Sequence, residues 1–147
     1  MHTMKTLARP MTAVVLTAGL AGCWMHGSSE PYDASADGVP CGSSAAGPVY
    51  IDIDYDNLGM PIDPGDCSVV DGTQVTWRGP DGEPVGFKIQ FKSAAPLASR
   101  ERGELSSVEY GGRYKVVRKI NGPAGRYAYA IKANGKVLDP AIIIRPN

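Results

Sequence analysis

The sequence predicts an all-β protein: an antiparallel sandwich of seven to eight short strands. Three observations predict it. Apolar and polar residues alternate with a period of two in several short runs, the signature of half-buried strands. Gly 18 and Pro 12 in 147 residues punctuate those runs with turns. The runs recur at short spacing with turn signals between them, which suits two packed sheets. Hydrophobic residues make up 43%, enough for one core.

The front of the chain reads as a targeting segment, not as fold. Lys5 and Arg9 precede the apolar run Met11 to Leu20, which is too short to span a bilayer as a stable helix. The run ends in Leu20-Ala21-Gly22-Cys23. This resembles the lipobox of bacterial lipoproteins, in which a signal peptidase cuts before the cysteine. The resemblance implies that Cys23 becomes the first mature residue, with diacylglycerol on sulfur and a palmitate-like acyl chain on nitrogen. The plainer alternative is an ordinary signal peptide with an incidental cysteine. On the lipobox reading, 1–22 is signal peptide, 23–48 is the lipidated cysteine with a flexible linker, and 49–147 is the folded domain. Each buried CH₂ contributes about 0.8 kcal/mol, so two or more chains anchor firmly. The expected location is the extracytoplasmic side of a bacterial envelope. Trp24 stands where an Asp would favour inner-membrane retention, so the outer membrane is expected.

Export leaves Cys41 and Cys67 as an even pair in an oxidising compartment, which reads as one disulfide. Two free thiols are the alternative. Trp24 to about Pro40 has no apolar period and is expected to be a tether with a reach of roughly 20–25 Å. Charge is unevenly placed. From Trp24 to Trp77 there are nine acids and no Lys or Arg; from Arg78 onward there are 13 bases and six acids. Either the surface is dipolar and steers a partner, or the two halves become neighbouring strands and neutralise each other.

The strands follow in order. Val49, Ile51, Ile53 and Tyr55 share one face of the first. Asn57 to Asp66 is a turn-rich connection, and Cys67 to Val70 a short strand. Asp71-Gly72 turns into Thr73 to Trp77, where Thr73, Val75 and Trp77 share a face. After the Gly79 to Gly82 turn, Phe87, Ile89 and Phe91 point inward. Ser93 to Arg113 reads as a long variable segment with room for a short helix. Tyr114 to Ile120 is a strand. Tyr127, Tyr129 and Ile131 then lead into Asn134-Gly135, the strongest short-range hairpin signal, because both residues accept the positive φ of a type I′ turn. The returning strand is broken at Asp139-Pro140 and ends in Ala141 to Ile144.

Two of these pieces together resemble the cupredoxin-like Greek-key β-sandwich. Val70-Asp-Gly-Thr-Gln-Val-Thr-Trp77 is similar to the family's Gly-x-x-Val-x-Trp strand. Gly125-Arg-Tyr-Ala-Tyr-Ala-Ile131 is similar to its Gly-x-Tyr-x-Tyr-x-Cys. In copper-binding members a His follows the Trp strand and a ligand Cys follows the second Tyr. Here Arg78 to Gly86 holds no His, Ile131 takes the thiolate position, and no Met lies beyond Met60. A blue-copper centre needs two imidazoles and a thiolate. The resemblance therefore implies a scaffold without copper, and no cofactor is expected.

The metal candidate is a calcium loop. Asp52, Asp54 and Asp56 take the first, third and fifth places of an Asp-x-Asp-x-Asp pattern, with Asp63 at the twelfth. Asn57 sits where Gly would make the sharp turn. A strand with an acidic wet face fits the same alternation. Ser93, Ser99, Ser106 and Ser107 have no histidine near them in sequence to act as base, so no catalytic residue is assigned. Phosphate-loop and dinucleotide fingerprints are absent. Arg100, Arg102, Arg113, Lys115, Arg118 and Lys119 read first as a solvated face; the alternative is a basic patch, which outside a membrane suits lipopolysaccharide phosphates or an acidic protein rather than nucleic acid. The expected protein is thus a membrane-anchored, non-catalytic binding or structural module, with membrane lipid and an envelope protein as partners. The alternatives are an accessory or inhibitor subunit of an envelope protein, and an envelope enzyme.

Overall fold

Period-two alternation buries one face of most strands, and the chain answers it with two sheets laid face to face. The computed structural model describes residues 37–43, 47–93, 95–98 and 103–146. Among them there is no helix and there are eleven strands: β1 (Val39–Pro40), β2 (Val49–Asp52), β3 (Cys67–Val70), β4 (Gln74–Arg78), β5 (Lys88–Phe91), β6 (Glu104–Ser106), β7 (Val108–Tyr110), β8 (Arg113–Lys119), β9 (Gly125–Ala133), β10 (Lys136–Leu138) and β11 (Ala141–Arg145). One sheet has the order β1-β2-β4-β8-β7. The other has the order β3-β11-β9-β5-β6, with β10 also paired to β9.

The core lies between the sheets. Val49, Ile51, Val75, Trp77 and Val116 come from the first, and Ile89, Tyr129, Ile131, Ile142 and Ile144 from the second. Trp77 and Tyr129 are fully buried and meet edge to face, ring centroids 5.6 Å apart. Phe91 completes the cluster at 6.3 Å from Trp77 and 5.6 Å from Tyr129. Such tilted contacts set the positive ring edge against the negative face. The Trp77 Nε1 and the Tyr129 hydroxyl approach each other in the core, and neither makes a hydrogen bond of good geometry with any described residue. Burial pushes the Tyr129 phenol well above its usual range.

The final hairpin forms as the local chemistry dictates. Ala133 pairs with Lys136 across Asn134 and Gly135, whose φ angles are 47° and 75°. Beyond Asp139-Pro140 the chain rejoins β9 as β11, with Ala141 opposite Ala128 and Ile142 opposite Tyr127.

Three features depart from the sequence expectations. The sheets are mixed: β1–β2, β2–β4 and β3–β11 run parallel. Regular structure begins upstream of Val49, because Val39–Pro40 pairs beside Val49–Tyr50 within the stretch expected as linker. The segment expected as a variable loop supplies β6 and β7. Around Ser107 the chain leaves the second sheet and joins the first, with the Ser107 N–H donating to the Phe87 carbonyl. That crossing covers one side of the sandwich.

Candidate functional site

On the outer face of the first sheet, register decides which charges meet. Asp52 of β2 stands opposite Arg78 of β4, and Arg78 opposite Lys115 of β8. That row has two cations and one anion. The second anion comes from the incoming chain. Asp37 accepts hydrogen bonds from Arg78 at 2.9 Å and from Lys115 at 2.8 Å. Arg78 also binds Asp52 through its Nε and a terminal nitrogen, and Arg113 lies 3.7 Å from the same carboxylate. The Arg78 guanidinium stacks over the Tyr50 ring, 3.4 Å from its centroid.

Burial alone would raise the Asp37 carboxyl. The hydrogen bonds and charges of Lys115 and Arg78 outweigh it and hold the group below the usual carboxylate value. The same carboxylates oppose the cost of burying Arg78 and keep its guanidinium charged.

Gly38 lets the chain turn from this row into β1. Its φ is +84°, and a Cβ there would fall 1.9 Å from the Pro48 carbonyl oxygen. That carbonyl accepts the Val39 N–H. Two residues past β1's first, Cys41 is bonded to Cys67 at the start of β3, with Cα atoms 5.8 Å apart. β1 is the edge of one sheet and β3 the edge of the other. The disulfide thus ties the two sheets together on the side opposite the Ser107 crossing. The arrangement fastens the incoming chain three times: by charge, by strand pairing and by a covalent bond.

Cys23 lies outside the described residues. The four candidate calcium ligands are not brought together. Asp52 serves Arg78 and Arg113. Asp56 accepts the N–H groups of Leu58 and Met60, each at 2.9 Å, and the Met60 bond leads the lowering of its carboxyl below the usual value. Asp63 accepts from the Gly65 N–H at 2.8 Å. Asp54 contributes its carbonyl to Ile62. Among the described residues no group of three or more His, Cys, Asp or Glu could hold a metal ion.

The basic patch disperses. Arg113 and Lys115 join the charged row, while Arg118 donates to the Val117 carbonyl. Arg100 and Arg102 lie outside the described residues. Of the serines, Ser107 Oγ accepts the Phe87 N–H at 2.8 Å, and Ser99 is outside the described residues. Ile131 is fully buried.

Sequence reasoning missed Asp37 and Asp66. Asp66 accepts the Ala141 N–H at 2.8 Å and pairs with Arg126 at 3.2 Å, fixing the approach to β3 against β9 and β11. Asp37 meets partners 41 and 78 residues away. The excess of acid before Trp77 and of base after it was the signal available, and these pairs realise the mutual neutralisation. No protein-family model matches the chain, and no curated protein is significantly similar to it.

Proposed function

We propose that this protein is a lipid-anchored bacterial envelope lipoprotein whose copper-less, cupredoxin-like sandwich is a non-catalytic binding module. The observation that carries this reading is the threefold fastening of the incoming chain. A tether that begins at a lipidated Cys23 would pull on Asp37, on β1 and on the Cys41–Cys67 bond, so force and position pass directly into both sheets. An oxidised cysteine pair also fits an extracytoplasmic compartment. The cupredoxin-like part is supported by Trp77 and Tyr129. These aromatic positions of the two resembling motifs meet in the core, with the buried Ile131 beyond them.

Acyl labelling and membrane fractionation test the anchor. The wild type is expected to take up radiolabelled palmitate and to sediment with membranes. Cys23→Ser is expected to lose the label; label that persists in Cys23→Ser overturns the anchor. Cu(II) titration tests the scaffold reading. No intense thiolate charge-transfer band and no stoichiometric rise in melting temperature are expected, and a blue one-to-one complex would refute it.

A further inference from the structure

We propose that the depression over Lys88 and Lys132, on the outer face of the second sheet, binds a phosphate-bearing ligand. Register places Ser106, Lys88, Lys132 and Val137 in one row across β6, β5, β9 and β10. Lys88 and Lys132 are direct cross-strand partners. Like charges in that position destabilise a sheet. One carboxylate serves both: Glu104 lies 2.7 Å from Lys88 Nζ and 2.9 Å from Lys132 Nζ. Lys132 also donates to Gln90 at 2.6 Å. One anion shared by two cations leaves a positive excess in the row. Lys136 on the rim increases that excess, although it also attracts the Asp56 carboxylate.

The row lies in a hollow. An open depression of about 520 Å³ is lined by these three lysines, Glu104 and the serines 106 and 107. That volume falls in the range of small-molecule sites. Val137, exposed on β10, gives it apolar surface beside the charges, room for the organic part of an ester. Ser107 Oγ accepts the Phe87 N–H, which leaves its own hydroxyl hydrogen to donate. The hairpin wall is held in place by the Asn134 amide, which donates to the Gly59 carbonyl.

The chemistry selects phosphate. A phosphate monoester carries about −1.5 to −2 charge at neutral pH, close to the excess that Lys88, Lys132 and Lys136 together have over Glu104. The donors are ammonium groups, which bind phosphate as point charges and need no planar, bidentate partner. Bridging by Lys88 and then by Lys132 holds the Glu104 carboxyl below its usual value, so it remains the anion with which a ligand must compete.

The inference rests on the binding-module reading but not on the anchor, so the test uses the full chain in non-ionic detergent. Inorganic phosphate and pyrophosphate are titrated against chloride at matched ionic strength, following melting temperature and the lysine ammonium NMR signals. Saturable binding of pyrophosphate at Lys88 and Lys132 is expected. Lys132→Gln should weaken it by about tenfold or more, the scale of a lost charged hydrogen bond. Glu104→Gln should move two readouts in opposite directions. It should lower the melting temperature without ligand, because the opposed lysines lose their shared anion. It should tighten pyrophosphate binding by about two- to fivefold. A response no larger than that to chloride, or weaker binding in Glu104→Gln, overturns the proposal. To locate the source of the phosphate, the Cys23→Ser chain is mixed with phosphatidylcholine vesicles with and without phosphatidic acid. Phosphatidic-acid-dependent binding that pyrophosphate displaces identifies a lipid headgroup; pyrophosphate binding without it identifies a soluble ester. Failure of Cys23 acylation would leave all of these outcomes unchanged.

Discussion

Replacing Trp77 by Ala removes the largest fully buried side chain of the domain. Losing a buried Trp costs about 3–5 kcal/mol, because the transfer term and the cavity left behind add. Two corrections act in opposite directions. The contacts with Tyr129 and Phe91 contribute about 0.5–1.5 kcal/mol each beyond area burial. The Nε1 proton has only a poorly aligned approach to the Tyr129 hydroxyl, so its removal relieves up to about 1–3 kcal/mol of desolvation. They roughly cancel, and about 3–5 kcal/mol stands. For a domain of this size that lowers the melting temperature on the order of 15 °C. Urea unfolding followed by far-ultraviolet circular dichroism, without reductant, measures the change directly. Trp77→Phe keeps a ring in the same layer and removes the poorly paired donor, so it should cost about half as much or less. If Trp77→Ala changes stability by under about 1 kcal/mol, the indole does not join the sheets and the packing argument fails.

Three further outcomes follow from the fastening of the N-terminal side. Non-reducing mass spectrometry should find the Cys41 and Cys67 peptides linked, and both thiols alkylated without reduction would refute the bond. The bond spans 26 residues, and reducing it should lower stability by about 3.5 kcal/mol on the chain-entropy account. The Asp37 carboxyl is held below its unfolded value, so its contribution is present above the unfolded pKa and is lost as pH falls through the lower, folded one. Asp37→Asn should therefore be less stable than wild type at neutral pH, with the gap closing in strong acid; urea titrations from pH 7 down to pH 2 (about five steps) read it, and a gap that does not change with pH refutes the ion-pair account.

What could be read from the sequence alone was local. The alternation through Tyr127, Tyr129 and Ile131 placed β9, and Asn134-Gly135 set the hairpin, because a two-residue turn with positive φ leaves one register. The break at Asp139-Pro140 was legible because proline lacks the N–H a ladder needs. The cysteine pair followed from elimination. What depended on distant partners had no local mark. Parallel pairing of β2 with β4 and of β3 with β11 is set by which apolar faces must be covered, and neither strand's composition states its neighbour's direction. β6 and β7 escaped notice because they are three residues each, too short for a period to register. The Asp-x-Asp-x-Asp spacing suggested one cation site, but turns bind Asp56 and Asp63 to nearby N–H groups while register delivers Asp52 to Arg78. Only the folded sheet could set Lys88 against Lys132, or bring Asp37 to Arg78 and Lys115, because cross-strand register is a property of the pair of strands and not of either one.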